Sequence, residues 1–372
     1  LAGLVLTGEM VTDHTLAGRS GAYRSDGPAW PGGYDPELLA HAGLRPEQLP
    51  AVSAPGARLA PGASAGWAAH GLPAGAPVLV AGHDHAVGAW AAGARLPGQA
   101  ADSIGTAEAI YLVMSDGPPR SGALEAAAGG AARRALWLEP SRLEAVRAQG
   151  ISLAATLDGA PALLAGHSTA GGAVEWWLAH RAGALDANGL ATLAAQGWPP
   201  PDDLLVLPYP NGRQCPRPDP GARLAVLQER EHSPAETAAA LFDGLALHAA
   251  WMLQAQLRAA GLPQTGIPQA DLSVLGGPAM SNPVWMAAKS RVFPSAAAVV
   301  QPEPVAVGAA LFALAQAEPS AGPPGGARLA SRPLAPGREA RADADPSADQ
   351  AGARLDQFIT AATRTAIPKE HS

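Results

Sequence analysis

The sequence predicts an α/β protein of two domains, and three observations lead there. The chain has 372 residues, enough for about two domains at the usual domain size. Its apolar fraction of 48% can fill two cores. One pattern also recurs three times: an apolar strand meets a glycine turn and a helix follows, at 78–90, 162–178 and 272–288. Such turns aim helix N-termini and free N–H groups at one edge of a sheet, where α/β proteins bind anions and nucleotides.

Taken in order, residues 1–70 open on the apolar run Leu1-Ala2-Gly3-Leu4-Val5-Leu6 and are then rich in Pro-Gly, Gly-Gly and Asp-Gly turns. Within them Asp35-Pro36-Glu37-Leu38-Leu39 starts a short helix that ends near Gly43. Pro77 to Gly82 reads as a short buried strand that runs through His83-Asp84-His85 into an alanine-rich helix ending near Ala94. Two extended arms flank Gly105-Thr106, predicting a hairpin, and residues 114–160 are poorly patterned. Ala162 to Gly166 is a strand, and Gly171-Gly172 opens a helix through Ala182. The strongest helix covers 234–260: Ser233 caps it, Pro234 takes the first position, Glu236 completes a capping box and Gly261 stops it. Leu272 to Leu275 is a strand, Gly276-Gly277 turns the chain, and a helix starts at about Asn282. Val305 to Ala317 is an apolar helix, 318–350 reads as a flexible linker, and 351–365 as a short terminal helix.

Charge and composition exclude several classes. The net charge is 25 − 32 = −7, which speaks against a nucleic-acid partner or an anionic membrane surface. No apolar run reaches the ~18–20 residues of a membrane span. The single cysteine, Cys215, rules out an internal disulfide framework and a multi-cysteine metal site, and a reducing, cytoplasmic setting is expected. Only Lys289 and Lys369 are lysines; the other 23 cations are arginines. There is no G-x-x-x-x-G-K-[ST] loop, so any phosphate would be held by backbone N–H groups, hydroxyls, arginine or a metal. No basic segment precedes the apolar start, so a signal peptide is not expected, and the chain reads as one whose natural start has been lost.

Four places could carry chemistry. His83-Asp84-His85 sits where a strand becomes a helix, so Asp84 could be a general base, part of a metal site with its two histidines, or simply a helix cap. Gly166-His167-Ser168-Thr169-Ala170 approaches the nucleophile elbow G-x-S-x-G with alanine in place of the second glycine, so a serine hydrolase using Ser168 is a rival reading. A literal match at Gly62-Ala63-Ser64-Ala65-Gly66 has no strand before it. The Gly105-Thr106 tip could hold phosphate oxygens with backbone N–H groups, or be only a turn. Gly276-Gly277 could serve a ligand, or only close helix–strand packing.

In sequence order these pieces resemble the FGGY carbohydrate kinases of the actin-like ATPase superfamily. Thr12-Asp13-His14-Thr15-Leu16-Ala17-Gly18-Arg19-Ser20 resembles T-D-x-S/T-x-A-S-R-T, and Gly82 to Ala89 resembles G-x-D-x-x-x-A-L. Asp102-Ser103-Ile104-Gly105-Thr106-Ala107-Glu108 is similar to D-S-x-G-T-S/A-E, and Gly171 to Leu178 to G-G-A-x-x-W-L. Leu207 to Pro216 resembles L-P-Y-L-x-G-E-R-x-P, Leu275 to Trp285 resembles G-G-G-A-x-S-P-x-W, and Val305 to Ala310 resembles A-A-x-G-A-A-L.

The resemblance implies two ribonuclease-H-like domains with ATP and sugar in the cleft between them. The division would be 1–97 as the remaining part of the first domain, 98–317 as the nucleotide-binding domain, 318–350 as linker and 351–372 as tail. The activity implied is transfer of a phosphoryl group from ATP, with Mg²⁺, to a hydroxyl of a sugar or polyol. Asp84 matches the catalytic base and would also lie near Mg²⁺; Asp13, His83 and His85 would contact substrate. Gly105, Thr106, Gly172, Trp176, Gly276, Gly277 and Asn282 match nucleotide-side positions. A homodimer is left open.

The sequence departs from the family pattern in places. It has no D-x-G-T hairpin, so the first domain is expected to be incomplete, with exposed apolar surface, and turnover by this chain alone impaired. Pro278 replaces the third glycine of the adenosine motif, Trp176 stands where a polar residue is more usual, and Ala288-Lys289-Ser290-Arg291 replaces a hydrophobic-acidic stretch. The alternative from a different class is a non-catalytic sugar- or nucleotide-binding relic.

Overall fold

The computed structural model describes residues 2–24, 33–53, 56–59, 71, 76–114, 140–168, 170–262, 266–299, 301–317, 329–333 and 346–364. The serine motif at 62–66 lies outside them.

The first part is built from small pieces. The apolar start is a helix, α1 (Ala2–Thr7), followed by β1 (Val11–Asp13), α2 (His14–Ala17) and α3 (Pro36–His41). β2 (Ala51–Ser53) pairs in parallel with β1, and β3 (Arg58–Leu59) pairs antiparallel with β4 (Val78–Leu79). Two-stranded units have little core of their own. Leu4, Val5 and Met10 remain 41%, 52% and 46% exposed.

The second part is organised by one seven-stranded sheet. After α4 (Asp84–Ala92) come β5 (Gln99–Ile104) and β6 (Glu108–Val113), the two arms of the expected hairpin. α5 (Pro140–Ala148), β7 (Ser152–Ala155), β8 (Pro161–His167), α6 (Ala170–His180) and α7 (Ala187–Gln196) follow. β9 (Leu204–Leu207) and β10 (Ala225–Gln228) form a separate antiparallel pair. Then come α8 (Pro234–Ala259), β11 (Asp271–Gly276), α9 (Pro283–Val292), β12 (Ala297–Val299) and α10 (Pro304–Ala317). With β13 (Ser331–Pro333) at one edge, the strand order is β13-β12-β11-β5-β6-β8-β7; β11 pairs in parallel with β5 and β12, and the other pairs are antiparallel.

Alternation along the strands separates two cores. Ala100, Ile104, Ile110 and Leu112 face α8, the helix whose Ser233–Glu236 capping box forms as expected. Ala101, Ala109, Tyr111 and Val113 face the other way, against α4 and α10, where Trp90 meets Phe312 edge-on at 5.3 Å. α4 therefore packs on the large sheet although it follows the small strands.

One expectation is corrected. The segment 318–350 is not linker throughout. β13 (Ser331–Pro333) pairs with β12, and α11 (Pro346–Thr363) starts earlier than the expected terminal helix. Burial explains α11: Leu355 and Phe358 are fully buried, and Arg354 donates from Nε to Asp243 Oδ2 on α8 at 2.7 Å. Arg291 of α9 pairs with the other oxygen of Asp243, so one carboxylate ties three helices.

Because the first part rests on two-stranded sheets, limited proteolysis is expected to cut within residues 2–24 or 33–53 before it cuts within 98–114, 140–168 or 170–262. Mass spectrometry of the fragments tests this, and equal resistance of both parts would contradict it.

Candidate active site

The site is assembled at the C-terminal ends of β5 and β11. These strands pair in parallel over six residues, ending with Gly276 opposite Ile104. A Cβ on Gly276 would lie 2.4 Å from the Ile104 carbonyl oxygen, so glycine is required for this approach. The hairpin tip Gly105–Thr106 thus stands beside the Gly276–Gly277 turn. The start of α6 closes the third side: the Gly171 N–H donates to the Gly105 carbonyl and the Gly172 N–H to the Thr106 carbonyl, both at 3.0 Å. Gly105, Thr106, Gly172, Gly276 and Gly277 therefore gather at one edge.

α4 brings Asp84 to the same edge. The Ser273 hydroxyl donates to the Ala92 carbonyl at 3.2 Å, and a Cβ on Gly88 would touch Leu275 at 3.0 Å. Moving from Ala92 back to Gly88 thus follows β11 toward its C-terminal end, and Asp84 lies one turn further. His83 is the N-cap residue and Asp84 the first helical residue, so Asp84 is not the cap that one reading allowed. Its side chain is 64% exposed. One carboxylate oxygen accepts from the His85 N–H at 2.8 Å and lies 3.4 Å from His83 Nε2. Burial lowers the pKa of both His83 and His85, partly offset by the Asp84 charge, so both imidazoles beside the carboxylate are held neutral near pH 7.

Asp13, expected to contact substrate, is buried at the start of α2. It is 2% exposed, and its carboxylate caps α2, accepting from Thr15 N–H and Leu16 N–H at 3.0 Å and from the Thr15 hydroxyl at 2.7 Å. The Thr15 oxygen in turn accepts from the His83 N–H at 2.7 Å. Asp13 therefore fixes the entry to α4 through Thr15. Gly82 makes this contact feasible: its φ is +137°, and a Cβ there would lie 2.7 Å from the Thr15 oxygen. His14 extends the tie across the molecule, with Nε2 2.8 Å from the Thr156 carbonyl. Beside this relay a cleft is lined by His14, Thr15, Arg19, Tyr23, His83 and Tyr111.

The other expected residues divide. Asn282 uses Oδ1 to cap α9, accepting from Val284 and Trp285 N–H groups. Trp176 is half-buried and stacks on His180, with ring centroids 4.4 Å apart. Ser168 is exposed, and its N–H donates to Gln214 Oε1. The histidines that a hydrolase would need are committed elsewhere: His180 to Trp176 and its carbonyl, His232 to Asp203, and His248 to the Tyr209 hydroxyl.

Sequence reasoning passed over a buried charge cluster directly beneath the hairpin tip. Lys289 of α9 is fully buried and donates to Asp102 at the end of β5 and Glu108 at the start of β6. Burial pushes the Glu108 carboxyl up to about 8, against the pull of Lys289, whereas the two carboxylates hold the Lys289 pKa above its usual value despite burial. With Glu108 protonated, one ammonium faces one carboxylate and the cluster is neutral. The available signal was the scarcity of lysine, since Lys289 stands within an otherwise helical apolar stretch.

With this geometry in place, comparisons with known proteins can be read. The model of the FGGY family of carbohydrate kinases, N-terminal domain, matches residues 3–91, and that of the C-terminal domain matches 144–317. The chain belongs to the FGGY family of carbohydrate kinases. Solved structures agree on the fold. A ligand-bound xylulose kinase from Lactobacillus acidophilus superposes with a TM-score of 0.72 at 17% identity, covering 96% of this chain and 65% of that one. Xylulose kinase from Rhodospirillum rubrum gives 0.68 at 24% identity, covering 96% and 65%. Plasmodium falciparum glycerol kinase with ADP gives 0.72 at 14% identity, covering 98% and 65%. The chain thus spans 65% of the length of each of these kinases. None of the curated proteins matches it in sequence. Among the described residues no helix is long and apolar enough to cross a membrane, and no group of three or more His, Cys, Asp or Glu side chains could hold a metal ion.

Glu108 sets a testable pH dependence. Its folded pKa of about 8 lies above the ordinary carboxylate value, so its stabilising contribution is full below about pH 4.5 and is lost as pH rises through 8. Glu108→Gln mimics the protonated form. Its melting temperature relative to the parent should therefore rise by about 3 °C or more between pH 5 and pH 9. Calorimetry at both pH values checks this; a constant difference would mean that Glu108 is ionised in the fold throughout.

Proposed function

We propose that this chain carries the phosphoryl-transfer edge of an ATP-dependent carbohydrate kinase, with a sugar or polyol hydroxyl as acceptor. The observation that carries the reading is the arrival of the exposed Asp84 carboxylate at the sheet edge that also holds the Gly105–Thr106 tip and the Gly276–Gly277 turn. A base and a phosphate cradle on one edge are what in-line transfer needs, because positioning and electrostatics supply most of this catalysis.

Asp84 accepts the hydroxyl proton as the acceptor oxygen attacks phosphorus. Neutral His83 and His85 leave its negative charge unneutralised, and the Asp13–Thr15–His83 relay keeps its helix start in place. The cleft with Arg19, His83 and Tyr111 offers polar groups for acceptor hydroxyls. Gly105 shapes the turn, its N–H bonded to the Ala107 carbonyl, and the exposed backbone at Thr106 and Gly277 cradles phosphate oxygens. Magnesium needs few protein ligands when phosphates supply the rest; the accessible Asp84 carboxylate would hold it, and when bound it would supply charge neutralisation at the phosphates. The relay, rather than direct contact, is the part played by Asp13. Asn282 contributes by starting α9, and Trp176 follows Gly172 by one turn on α6. A reducing, cytoplasmic setting goes with this reading, on the strength of the single cysteine.

Asp84→Asn is expected to keep the fold and nucleotide affinity and to lower turnover by ~10²–10⁴. A coupled ADP-release assay over a panel of sugars and polyols measures this. Turnover close to the parent value would remove Asp84 as the base, and a parent chain that binds ATP and sugar without turnover would favour the binding relic. In the same assay Thr15→Val, which deletes the hydroxyl between Asp13 and His83, should lower turnover more than it weakens ATP binding. An unchanged rate would show that the helix start needs no relay.

A further inference from the structure

The Lys289 cluster lies outside the groups that would touch either substrate, yet it joins the two glycine elements of the edge. Asp102 and Glu108 form the neck of the hairpin: Asp102 lies two residues before Ile104, and Glu108 is the cross-strand partner of Ile104. Both side chains point to the face that α9 covers, and Lys289 reaches both. α9 itself begins immediately after the Gly276–Gly277 turn, capped by Asn282. All three ionisable side chains are fully buried, and Asp102 Oδ1 and Glu108 Oε2 take no hydrogen bond from any described residue outside the cluster. Sliding the hairpin against α9 would therefore separate buried charges with no water to replace the contact, a change that low-dielectric surroundings resist strongly.

We propose that Lys289 is a positioning residue: by gripping both sides of the hairpin neck from α9, it locks the Gly105–Thr106 tip and the Gly276–Gly277 turn into one rigid cradle for nucleotide phosphates. The phosphate part rests on the kinase reading above, whereas the rigid coupling does not. Lys289 does not touch the ligand; it acts through the backbone of the two turns. A cluster present only for stability would be replaceable by neutral groups of the same shape without functional effect. A positioning cluster would not.

The test is the triple variant Asp102→Asn, Glu108→Gln, Lys289→Met, which leaves no buried charge unpaired. Its thermal midpoint, its amide hydrogen exchange and its KM values for ATP and for sugar are compared with those of the parent chain. A positioning role predicts a folded variant in which exchange over 104–108 speeds up ~10-fold while β8 keeps its protection, and in which KM for ATP rises ~10-fold with KM for sugar unchanged. A folded variant with parent-like exchange over 104–108 and parent-like KM for ATP would overturn it. Should the variant not fold, the parent chain decides: on adding ADP, exchange should slow over 283–290 together with 104–108, and protection confined to 104–108 would overturn the coupling. A parent chain that binds neither ATP nor ADP would sink the kinase reading instead, and the exchange comparison between parent and variant would still judge the grip of Lys289.

Discussion

β5 and β11 run side by side in parallel from Gln99 and Asp271 to Ile104 and Gly276, and the rest of the molecule is arranged around that pairing. Parallel strands end at the same edge, so whatever follows each one is delivered to the same place. β5 delivers the hairpin tip and β11 the glycine turn. The antiparallel return through β6 and β8 brings the start of α6 back to the tip, where two N–H groups close on its carbonyls. α4 crosses one face and adds its first residue to the edge. A shift of one residue in the β5–β11 register would turn Asp102 and Ile104 to the opposite face and separate the charge cluster from α9.

Much of this was legible in the sequence because it depends on local chemistry. Ser233, Pro234 and Glu236 specify a helix start whatever surrounds them. Two extended arms marked β5 and β6, and Gly105–Thr106 marked the turn between them. Gly276 stood out because a close backbone approach leaves a residue type behind. What stayed hidden depends on partners far apart in the chain. Asp13 reads as a polar residue in a motif, and only the structure reveals that capping α2 uses its carboxylate. Lys289 reads only as part of a departure from the family pattern until Asp102 and Glu108 meet it. The strand Ser331–Pro333 is too short for its pattern to show, and its pairing with β12 makes it a strand.

The two faces of the sheet are held by different physics. Against α4 and α10 the contact is nearly all apolar, built on Trp90, Tyr111 and Phe312. Against α8 and α9 large apolar side chains share the interior with charged and polar ones: the Lys289 cluster, Asp243 with its two arginines, and the Tyr209–His248 pair. Apolar contacts tolerate small sliding movements, whereas buried hydrogen-bonded charges fix relative position. The second face therefore acts as the fixed frame. The face that carries Asp84 on α4 rests on contacts that permit adjustment.

Arg354 gives the far end of the chain an influence that its position in sequence would not suggest. It pairs with Asp243 and also donates to the Leu204 carbonyl at 2.8 Å, while Arg213 reaches the Ala362 carbonyl at 2.8 Å. A premature stop before Pro346, or an expression design that trims the last helix as a dispensable tail, would leave Asp243 with one arginine instead of two. It would also uncover the surface filled by Leu355 and Phe358. In genetic terms, nonsense and frameshift changes in this last segment should behave as damage to the core, and any shortened version made for laboratory use should keep residues 346–364.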